Sequence, residues 1–343
     1  MLRLIRTAVL RPMRAAAIET GGWIGMMLGR FRSPEQTLRC WPEGGLALGP
    51  RVALFVHFDR GGVVRRHVLN YLEALRDAGL SVAFVTNSGR LQDDSMAAVQ
   101  AICACVLVRR NIGYDFGAMR EALQRLGLPR PETEFVLIAN DSVYGPLRPL
   151  QETLARVDFD RADLWGATES WQRRYHLQSF FLVAGRAAMT SKAWRDFWNS
   201  VRPVHSKYWV VSRYEVGLTQ KLLAAGVRCA ALWPYQDLVR RIDTSVLTND
   251  SDAPLDPFAD ARRIHVSRTS HAAAARRPLN PTAELWRELL QAGFPFIKRE
   301  LLRDNPANVQ DIADWHSVVG GQPAGSIEAI ERDLQRVMKG RSS

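Results

Sequence analysis

The stretch from Arg51 to Phe58, RVALFVHF, decides the fold class of this 343-residue chain. It is a nearly continuous apolar run, which is typical of a strand that is covered on both faces of a sheet. Polar and glycine residues at 59–62 end the run, and apolar residues then recur over 64–78 with the period of an amphipathic helix. A buried strand followed by such a helix is the first half of a βαβ unit.

The same alternation continues to residue 139. It predicts strands over 81–86, 104–108 and 134–139, with helices over 93–102 and 118–126 between them. Strands that alternate with helices predict an α/β fold with a mostly parallel sheet flanked by helices. In the second half we expect strands over 163–167 and 178–184 and helices over 191–201, 211–226, 281–293 and 327–338. The region after Trp233 is otherwise expected to be rich in loops.

The chain is basic, with a formal net charge of +11, and the excess is concentrated in two segments. Residues 1–40 carry seven arginines against two glutamates, and residues 261–278 carry five arginines and no acid. Such clusters suit anionic lipid head groups or a phosphorylated ligand. Nucleic acid is not expected as a partner, because no zinc-finger spacing, aromatic single-strand platform or basic region with heptads accompanies the charge.

No apolar run approaches the roughly 18 to 20 residues of a membrane-spanning helix. Residues 1–32 are either an amphipathic anchor on the inner face of the plasma membrane or a frayed leader. The four cysteines lack the spacing of a zinc or redox site. We therefore expect a cytoplasmic protein with reduced thiols, and the anchor interpretation adds a peripheral position at the membrane.

Polar residues follow each of the first four predicted strands. They are His57 and Asp59 after the first, Asn87 after the second, Asn111, Gly113, Asp115 and Gly117 after the third, and Asn140, Asp141 and Ser142 after the fourth. The carboxyl ends of parallel strands meet at one edge of a sheet, where ligands bind in α/β proteins. Folding alone does not require four polar clusters there, so we expect a nucleotide or metal site.

The clusters at 140–142 and 111–117 each allow two interpretations, one as a ligand-binding site and one as a turn. Asp141, with Asn140 and Ser142, offers the oxygen ligands that Mg²⁺ or Mn²⁺ needs beside a diphosphate, or else forms an Asx turn. The glycines of the 111–117 loop let the backbone approach a ligand, with Asp115 free to bind it, or else form a tight turn.

The second half supplies candidates for catalysis and acceptor binding. Glu215 is a candidate general base, and the alternative is a first-turn glutamate that the helix dipole favours. Sugars bind to aromatic faces and hydrogen-bonding groups, so Trp165, Glu169, Gln178 and Ser179 form a candidate acceptor pocket. The alternative is a pair of core strands in which Trp165 fills space.

Together these segments resemble the rhamnan synthesis F family of bacterial cell-surface polysaccharide proteins. The resemblance covers about residues 51–305. It is carried by Phe55–His57, Arg110–Gly117, Ala139–Pro146, Leu164–Gly166 with Thr168, Leu177–Ser179, Tyr214-Glu215, Asn280-Pro281 and Pro295–Pro306. It implies a glycosyltransferase of the GT-A type that adds a sugar, often rhamnose, to O-antigen or capsule glycans at the cytoplasmic face of the membrane.

The resemblance also implies roles for individual residues. Asn140-Asp141-Ser142 stands where GT-A enzymes carry the D-x-D motif that binds a divalent metal, and Tyr214-Glu215 stands where inverting enzymes carry the base. The polar residues from His57 to Asp115 would line the nucleotide. We expect an inverting transferase that uses a nucleotide sugar, with dTDP-rhamnose as the candidate donor, and a lipid-linked glycan acceptor. The alternative is a non-catalytic scaffold that binds nucleotide sugars or glycans, which the incomplete acidic motif favours.

These expectations divide the chain into three parts. Residues 1–50 form a basic leader and connector. Residues 51–245 form the transferase domain, with a nucleotide half over 51–146 and an acceptor half over 147–245. Residues 246–343 form a loop-rich and helical extension.

Overall fold

The structure is a computed structural model that describes residues 35–43, 47–204, 206–248, 257–320 and 324–339. The predicted leader, residues 1–32, lies outside the described residues. Within the described ranges, we find no helix that combines the length and the apolar character needed to cross a bilayer.

The described residues form eleven strands and fifteen α-helical segments. The strands are β1 (Thr37–Trp41), β2 (Arg51–His57), β3 (Ser81–Thr86), β4 (Cys105–Arg109), β5 (Phe135–Asn140), β6 (Val143–Tyr144), β7 (Leu164–Ser170), β8 (His176–Leu177), β9 (Phe181–Gly185), β10 (Cys229–Trp233) and β11 (Ile297–Lys298). The helices of the first half are α1 (Arg66–Asp77), α2 (Asp93–Gln100), α3 (Tyr114–Arg125), α4 (Leu150–Leu154), α5 (Arg186–Thr190) and α6 (Lys192–Ser200). The later helices are α7 (Lys207–Trp209), α8 (Val216–Ala224), α9 (Tyr235–Arg240), α10 (Ala259–Ala274), α11 (Pro281–Glu284), α12 (Trp286–Gln291), α13 (Arg299–Asp304), α14 (Trp315–Val318) and α15 (Ala324–Lys339). A π-helical segment, Val210–Glu215, joins α7 to α8, and short 3₁₀ helices cover Thr244–Leu247 and Gln310–Asp314.

A nine-stranded sheet forms the centre of the fold. Its strand order is β1-β4-β3-β2-β5-β9-β7-β10, with β8 paired to β7. The strands β4, β3, β2 and β5 are parallel neighbours, β7 and β10 form another parallel pair, and β1, β8 and β9 run antiparallel to their partners. The predicted α/β fold with a mostly parallel sheet is therefore confirmed.

Strand β2 is buried on both faces, as its apolar run predicts. Leu54 and Val56 pack in the core cluster that contains Phe116 of α3, while Phe55 packs in the cluster that contains Leu72 of α1. The alternation follows from strand geometry, since successive side chains point to opposite faces. Helices on both faces shield the sheet and leave its carboxyl edge for the loops.

The structure contains elements that the sequence did not predict, and β1 and α10 are two of them. The predicted connector before residue 51 contains β1, which pairs antiparallel with β4. The predicted loop-rich region contains the sixteen-residue helix α10. Its buried face includes His265, Thr269 and Ala272. Because these residues are polar or small, the sequence shows no hydrophobic stripe that would have predicted the helix.

The segment after residue 245 shares the core of the central domain. Phe294 and Phe296 pack in the same cluster as Phe181, and β11 pairs antiparallel with β6. Residues on both sides of the expected boundary at 245 therefore pack in one of the core clusters. Because β6 follows the fourth parallel strand, this pairing brings β11 to the carboxyl edge of the sheet.

Candidate active site

A cleft made of two adjoining cavities lies at the carboxyl edge of the sheet. The larger cavity has a volume of about 420 Å³ and is lined by Glu215, and the smaller has a volume of about 350 Å³ and is lined by Asp141. Residues shared by both linings are Tyr114, Asp115, Ser142, Lys207, Lys298 and Glu300. Asp115, Asp141 and Glu215, which come from three separate segments, therefore meet in one cleft.

Hydrogen bonds join Asp115 to the residues that follow β5. Asn140 Nδ2 donates to Asp115 Oδ2 at 2.9 Å, and the Ser142 backbone N–H and Oγ donate to Asn140 Oδ1 at 3.1 and 2.5 Å. Burial, together with the negative charge of Asp141, raises the pKa of Asp115 to about 6. Asp115 is thus a fixed, partly buried carboxyl group between the two cavities.

Glu215 is oriented by Ser179. The Ser179 backbone N–H and Oγ both donate to Glu215 Oε1, at 2.7 and 2.8 Å. None of the described residues donates a hydrogen bond to the other oxygen, Oε2. Glu215 ends the π-helical segment, and such segments are frequent at functional sites. The arrangement leaves one carboxylate oxygen available to accept a proton from a ligand.

Two basic residues from β11 and α13 also reach the cleft. Lys298 Nζ donates to Ser142 Oγ at 3.0 Å, and Arg299 Nη1 donates to the Asp141 carbonyl at 2.8 Å and to Asp141 Oδ2 at 3.4 Å. The register of β11 on β6 places Lys298 opposite Val143, next to these acceptors. Burial lowers the pKa of Lys298, and the negative charge of Glu215 opposes that effect.

The oxygens predicted to hold a divalent metal do not fit one as they are arranged. The ammonium of Lys298 contacts Ser142 Oγ, the guanidinium of Arg299 faces Asp141, and Asn140 Oδ1 already accepts two hydrogen bonds. In the described part of the chain, no group of three His, Cys, Asp or Glu side chains is placed to hold a metal ion. A metal would meet two positive charges at the ligands that it needs.

The sequence pattern of the family described as "Rhamnan synthesis protein F" matches residues 82–277, which is more than half of the chain. This chain belongs to the rhamnan synthesis protein F family. The resemblance seen in the sequence motifs is therefore confirmed. The family's matched region includes the cleft residues from Asp115 to Glu215 but ends before Lys298.

Two named relatives are similar over part of their length. The "Virulence protein VirA" of Vibrio anguillarum is 29% identical over 214 residues, which are 61% of this chain and 66% of that protein. The "Uncharacterized protein y4gN" of Sinorhizobium fredii is 25% identical over 202 residues, which are 58% of this chain and 52% of that protein. The matches thus span between about half and two thirds of each relative.

Two solved structures of glycosyltransferases show a distant similarity. A glycosyltransferase involved in the glycosylation of the major capsid of PBCV-1 has a TM-score of 0.34 and 12% identity, covering 52% of this chain and 80% of that one. The mannosyltransferase PcManGT from Pyrobaculum calidifontis, in complex with GDP-Man and Mn²⁺, has a TM-score of 0.34 and 14% identity, covering 94% and 96%.

Two residues that the family resemblance implied for nucleotide binding lie outside both cavities. His57 is buried, its Nδ1 lies 3.1 Å from Thr86 Oγ1, and burial lowers its pKa. Asp59 Oδ1 accepts hydrogen bonds from the backbone N–H groups of Gly61 and Val63, at 2.8 and 3.2 Å. His57 therefore completes the core, and Asp59 closes the turn after β2.

The 111–117 segment differs from the predicted loop, because α3 begins at Tyr114. Gly113 adopts a φ of 87° at the start of that helix. A Cβ added at Gly117 would lie 2.9 Å from the Ile112 carbonyl oxygen. Both glycines therefore serve backbone geometry and packing. Asn111, which is exposed, does line the smaller cavity.

Asn87 both lines the smaller cavity and belongs to a buried network. Its Oδ1 accepts a hydrogen bond from Arg109, whose Nε donates to Glu121 Oε2 at 3.1 Å. Arg109 is 1% exposed and also donates to the Ile112 carbonyl at 2.9 Å. This network holds the loop after β4 against the loop after β3, and so shapes one wall of the cleft.

The predicted acceptor residues divide into two pairs. Gln178 and Ser179 line the larger cavity, and Thr168 Oγ1 donates to Gln178 Oε1 at 2.7 Å. Trp165 lies near the start of β7, away from the carboxyl edge, and its Nε1 donates to the carbonyl oxygen of Ala162 at 3.1 Å. Glu169 Oε1 accepts the backbone N–H of Tyr235 at 2.9 Å. Trp165 and Glu169 line neither cavity.

Lys298 and Arg299 are not among the site residues that the sequence predicted. Lone basic residues carry no motif of their own, and only the pairing of β11 with β6 brings them to the cleft. The available signal was the stretch Pro295–Pro306, which is one of the segments that carry the family resemblance.

Proposed function

We propose that this protein is a glycosyltransferase that moves a sugar from a nucleotide sugar to a growing cell-surface polysaccharide. The observation that supports the proposal best is the meeting of Asp115, Asp141 and Glu215 in one cleft at the carboxyl edge of the sheet, in a member of the rhamnan synthesis protein F family. Ligands of open α/β sheets bind at this edge.

The larger cavity suits the acceptor, and the smaller suits the nucleotide diphosphate. Glu215 and the amide of Gln178 line the larger one, which gives it a base and a hydrogen-bonding group for a sugar hydroxyl. Asn87 and Asn111 line the smaller one and offer amide groups to a nucleoside. The shared residues lie between them, where the bond to be broken would sit.

In the proposed reaction Glu215 acts as the general base. Its Oε2 accepts the proton of an acceptor hydroxyl, while Ser179 holds Oε1. The hydroxyl oxygen forms a bond to the anomeric carbon of the donor sugar. The bond from that carbon to the phosphate oxygen breaks, and its electron pair leaves with the nucleoside diphosphate. Attack from the face opposite the leaving group inverts the configuration at that carbon.

The family description supports a choice of donor and acceptor to test. Because the family is described by rhamnan synthesis, dTDP-rhamnose is the first donor to test, and a lipid-linked glycan is the corresponding acceptor. A lipid-linked acceptor would place the reaction at the cytoplasmic face of a membrane.

The arginine-rich segment 261–278 contributes less free positive charge than its sequence indicates. Arg262 pairs with Asp243 at 3.3 Å, and Arg277 pairs with Glu284 at 3.7 Å.

Replacement of Glu215 tests this function. Glu215→Gln keeps the shape of the side chain and an oxygen that can accept the Ser179 hydrogen bonds, so protection by a bound nucleotide sugar against thermal unfolding should persist. Transfer should fall by about 10²-fold or more, because the base is lost. Glu132→Gln, at an exposed position before β5, is the matched control and should transfer normally. Full transfer by Glu215→Gln would remove this residue from the mechanism.

A non-catalytic scaffold that binds nucleotide sugars or glycans is the second candidate. The observation in its favour is that Lys298 and Arg299 occupy the oxygens of the incomplete acidic motif. A panel of nucleotide sugars distinguishes the two functions. A scaffold would be protected against unfolding by a donor without cleaving it, whereas a transferase would release nucleoside diphosphate slowly with water as acceptor.

A further inference from the structure

Lys298 is a partly buried cation whose direct contacts are with uncharged groups. Its ammonium donates to the neutral Ser142 hydroxyl and lies 4.4 Å from the centre of the Phe180 ring. Among the residues that the structure describes, no carboxylate forms an ion pair with it. The negative charges of Glu215, Glu300 and Asp115 act on it without forming an ion pair, and an anionic ligand would place a negative charge in direct contact with the ammonium.

Lys207 provides a second positive charge beside the first. It is exposed on α7, and it lines the same two cavities as Lys298. Lys207 also forms no ion pair with a carboxylate within the described ranges. Both lysines line both cavities, so they flank the junction between the two.

Arg299 offsets one of the carboxylates near this junction, which Asp115 and Glu300 also line. It pairs with Asp141 at 3.4 Å, which offsets the negative charge of that carboxylate. Arg299 is itself held by Asp333 Oδ2 at 3.1 Å, and its guanidinium lies 5.4 Å from the centre of the Tyr144 ring. Since these contacts fix Arg299, Asp141 is neutralised before any ligand arrives.

We propose that Lys298 and Lys207 bind the diphosphate of the donor directly, with Arg299 neutralising Asp141, and that no divalent metal is needed for this binding. The proposal rests on the proposed function for the identity of the ligand. Two ammonium groups at the junction of the cavities would stabilise the negative charge that develops on the departing diphosphate. Phosphate groups are bound by such charge-assisted hydrogen bonds in proteins.

Calorimetric titration with inorganic pyrophosphate tests this site without reference to the sugar or base. The titration is carried out at low ionic strength, once in excess EDTA and once with Mn²⁺. We expect the affinities in the two buffers to agree within about twofold, and Lys298→Gln to weaken binding in EDTA by about tenfold or more. Lys207→Gln should weaken it as well, and Lys221→Gln, at an exposed position on α8, is the matched control and should bind as the unaltered protein does.

Three results would overturn the proposal. They are binding that occurs with Mn²⁺ and disappears in EDTA, binding that Lys298→Gln leaves unchanged, and no binding in either buffer. The first result leaves the transferase function standing with a metal. Conversely, pyrophosphate binding in EDTA that depends on Lys298, combined with no cleavage of any nucleotide sugar, would support the anion site and contradict the transferase function.

Discussion

Arg299 and Asp333 join the last described helix to the edge of the central sheet. Their side chains lie 3.1 Å apart, and Asp333 Oδ2 also accepts a hydrogen bond of 2.8 Å from the Tyr144 hydroxyl. Tyr144 belongs to β6, directly after the Asn140–Ser142 turn. A residue of α15 therefore supports the turn that carries Asp141, although the sequence placed that helix in a separate extension.

We expect Asp333→Asn to weaken both the fold and the cleft. The carboxylate of Asp333 is 1% exposed and pairs with Arg299 and Arg336, so losing its charge should lower the free energy of unfolding by about 2 kcal/mol. Because Arg299 would lose its anchor, the KM for the donor should rise more than kcat falls. Denaturant unfolding and steady-state kinetics measure the two effects.

Glu328→Gln is the control for that variant, because Glu328 lies on the same helix and is exposed. Its pairing with Arg332 is a surface ion pair, which contributes at most about 1 kcal/mol. An Asp333→Asn protein that loses stability but keeps the donor KM would show that Asp333 has a structural role alone.

Asp115 makes a pH-dependent contribution to stability. Since its pKa is raised to about 6 in the folded protein from an ordinary value of 3.8, the folded state binds the proton more tightly than the unfolded chain. This contribution is therefore lost as pH rises from about 4 to 6. Asp115→Asn removes the titration, so the stability of the variant relative to the unaltered protein should rise over that range, by on the order of 1–3 kcal/mol.

Chemical denaturation of both proteins at pH 4, 5, 6 and 7 measures the difference between their free energies of unfolding. The contributions of the other titrating groups are common to both proteins and largely cancel in this difference. A difference that stays constant across the range would contradict the assigned pKa shift. A difference that falls as pH rises would mean that the folded state favours the ionised carboxylate.

Ser179→Ala tests how Glu215 is positioned. The variant removes the hydroxyl that donates to Glu215 Oε1 at 2.8 Å and keeps the backbone N–H that donates at 2.7 Å. We expect kcat to fall by about tenfold, which corresponds to about 1.4 kcal/mol, while the donor KM stays within about twofold. Ser179→Thr, which restores a hydroxyl, should recover part of the rate. An unchanged kcat in Ser179→Ala would show that the backbone contact alone orients the carboxylate.

Two glycine-to-alanine variants compare a tightly packed position at the start of α3 with an open position on α8. In Gly117→Ala the new Cβ would lie 2.9 Å from the Ile112 carbonyl oxygen, so the backbone must shift and the protein should lose about 1–3 kcal/mol. Gly217→Ala is the matched change on α8, where nothing lies within 4 Å of the added Cβ. It should stabilise the protein by up to about 1 kcal/mol, because alanine favours the helix. Equal melting temperatures for the two variants would show that the close contact of a Cβ at residue 117 does not destabilise the protein.

The sequence predicted most of the nucleotide half because its signals are local. The apolar run of β2 and the polar residues at strand ends follow from period and turn chemistry, and Asp115, Asp141 and Glu215 do reach one cleft. Strand β1 and helix α10 were missed. Strand β1 is an edge strand with exposed and partly buried residues, and α10 buries polar groups such as His265, whose Nε2 lies 2.9 Å from the Glu284 carbonyl oxygen.

Individual roles at the site depended on contacts that no spacing reveals. His57 and Asp59 have the residue types of ligand-binding groups, yet the first is enclosed by the core and the second binds its own turn. Trp165 has the residue type of a sugar platform but lies toward the far end of its strand. Lys298 reaches the cleft through a two-residue strand pairing across more than 150 residues of chain, which local patterns cannot predict.

A crystal structure of the Glu215→Gln protein with an intact nucleotide sugar tests the central claim most directly. We predict that the diphosphate lies within hydrogen-bonding distance of Lys298 Nζ and that the anomeric carbon faces the residue 215 side chain across the junction of the two cavities. A nucleotide sugar bound outside this cleft, or bound with its anomeric carbon turned away from residue 215, would contradict the account.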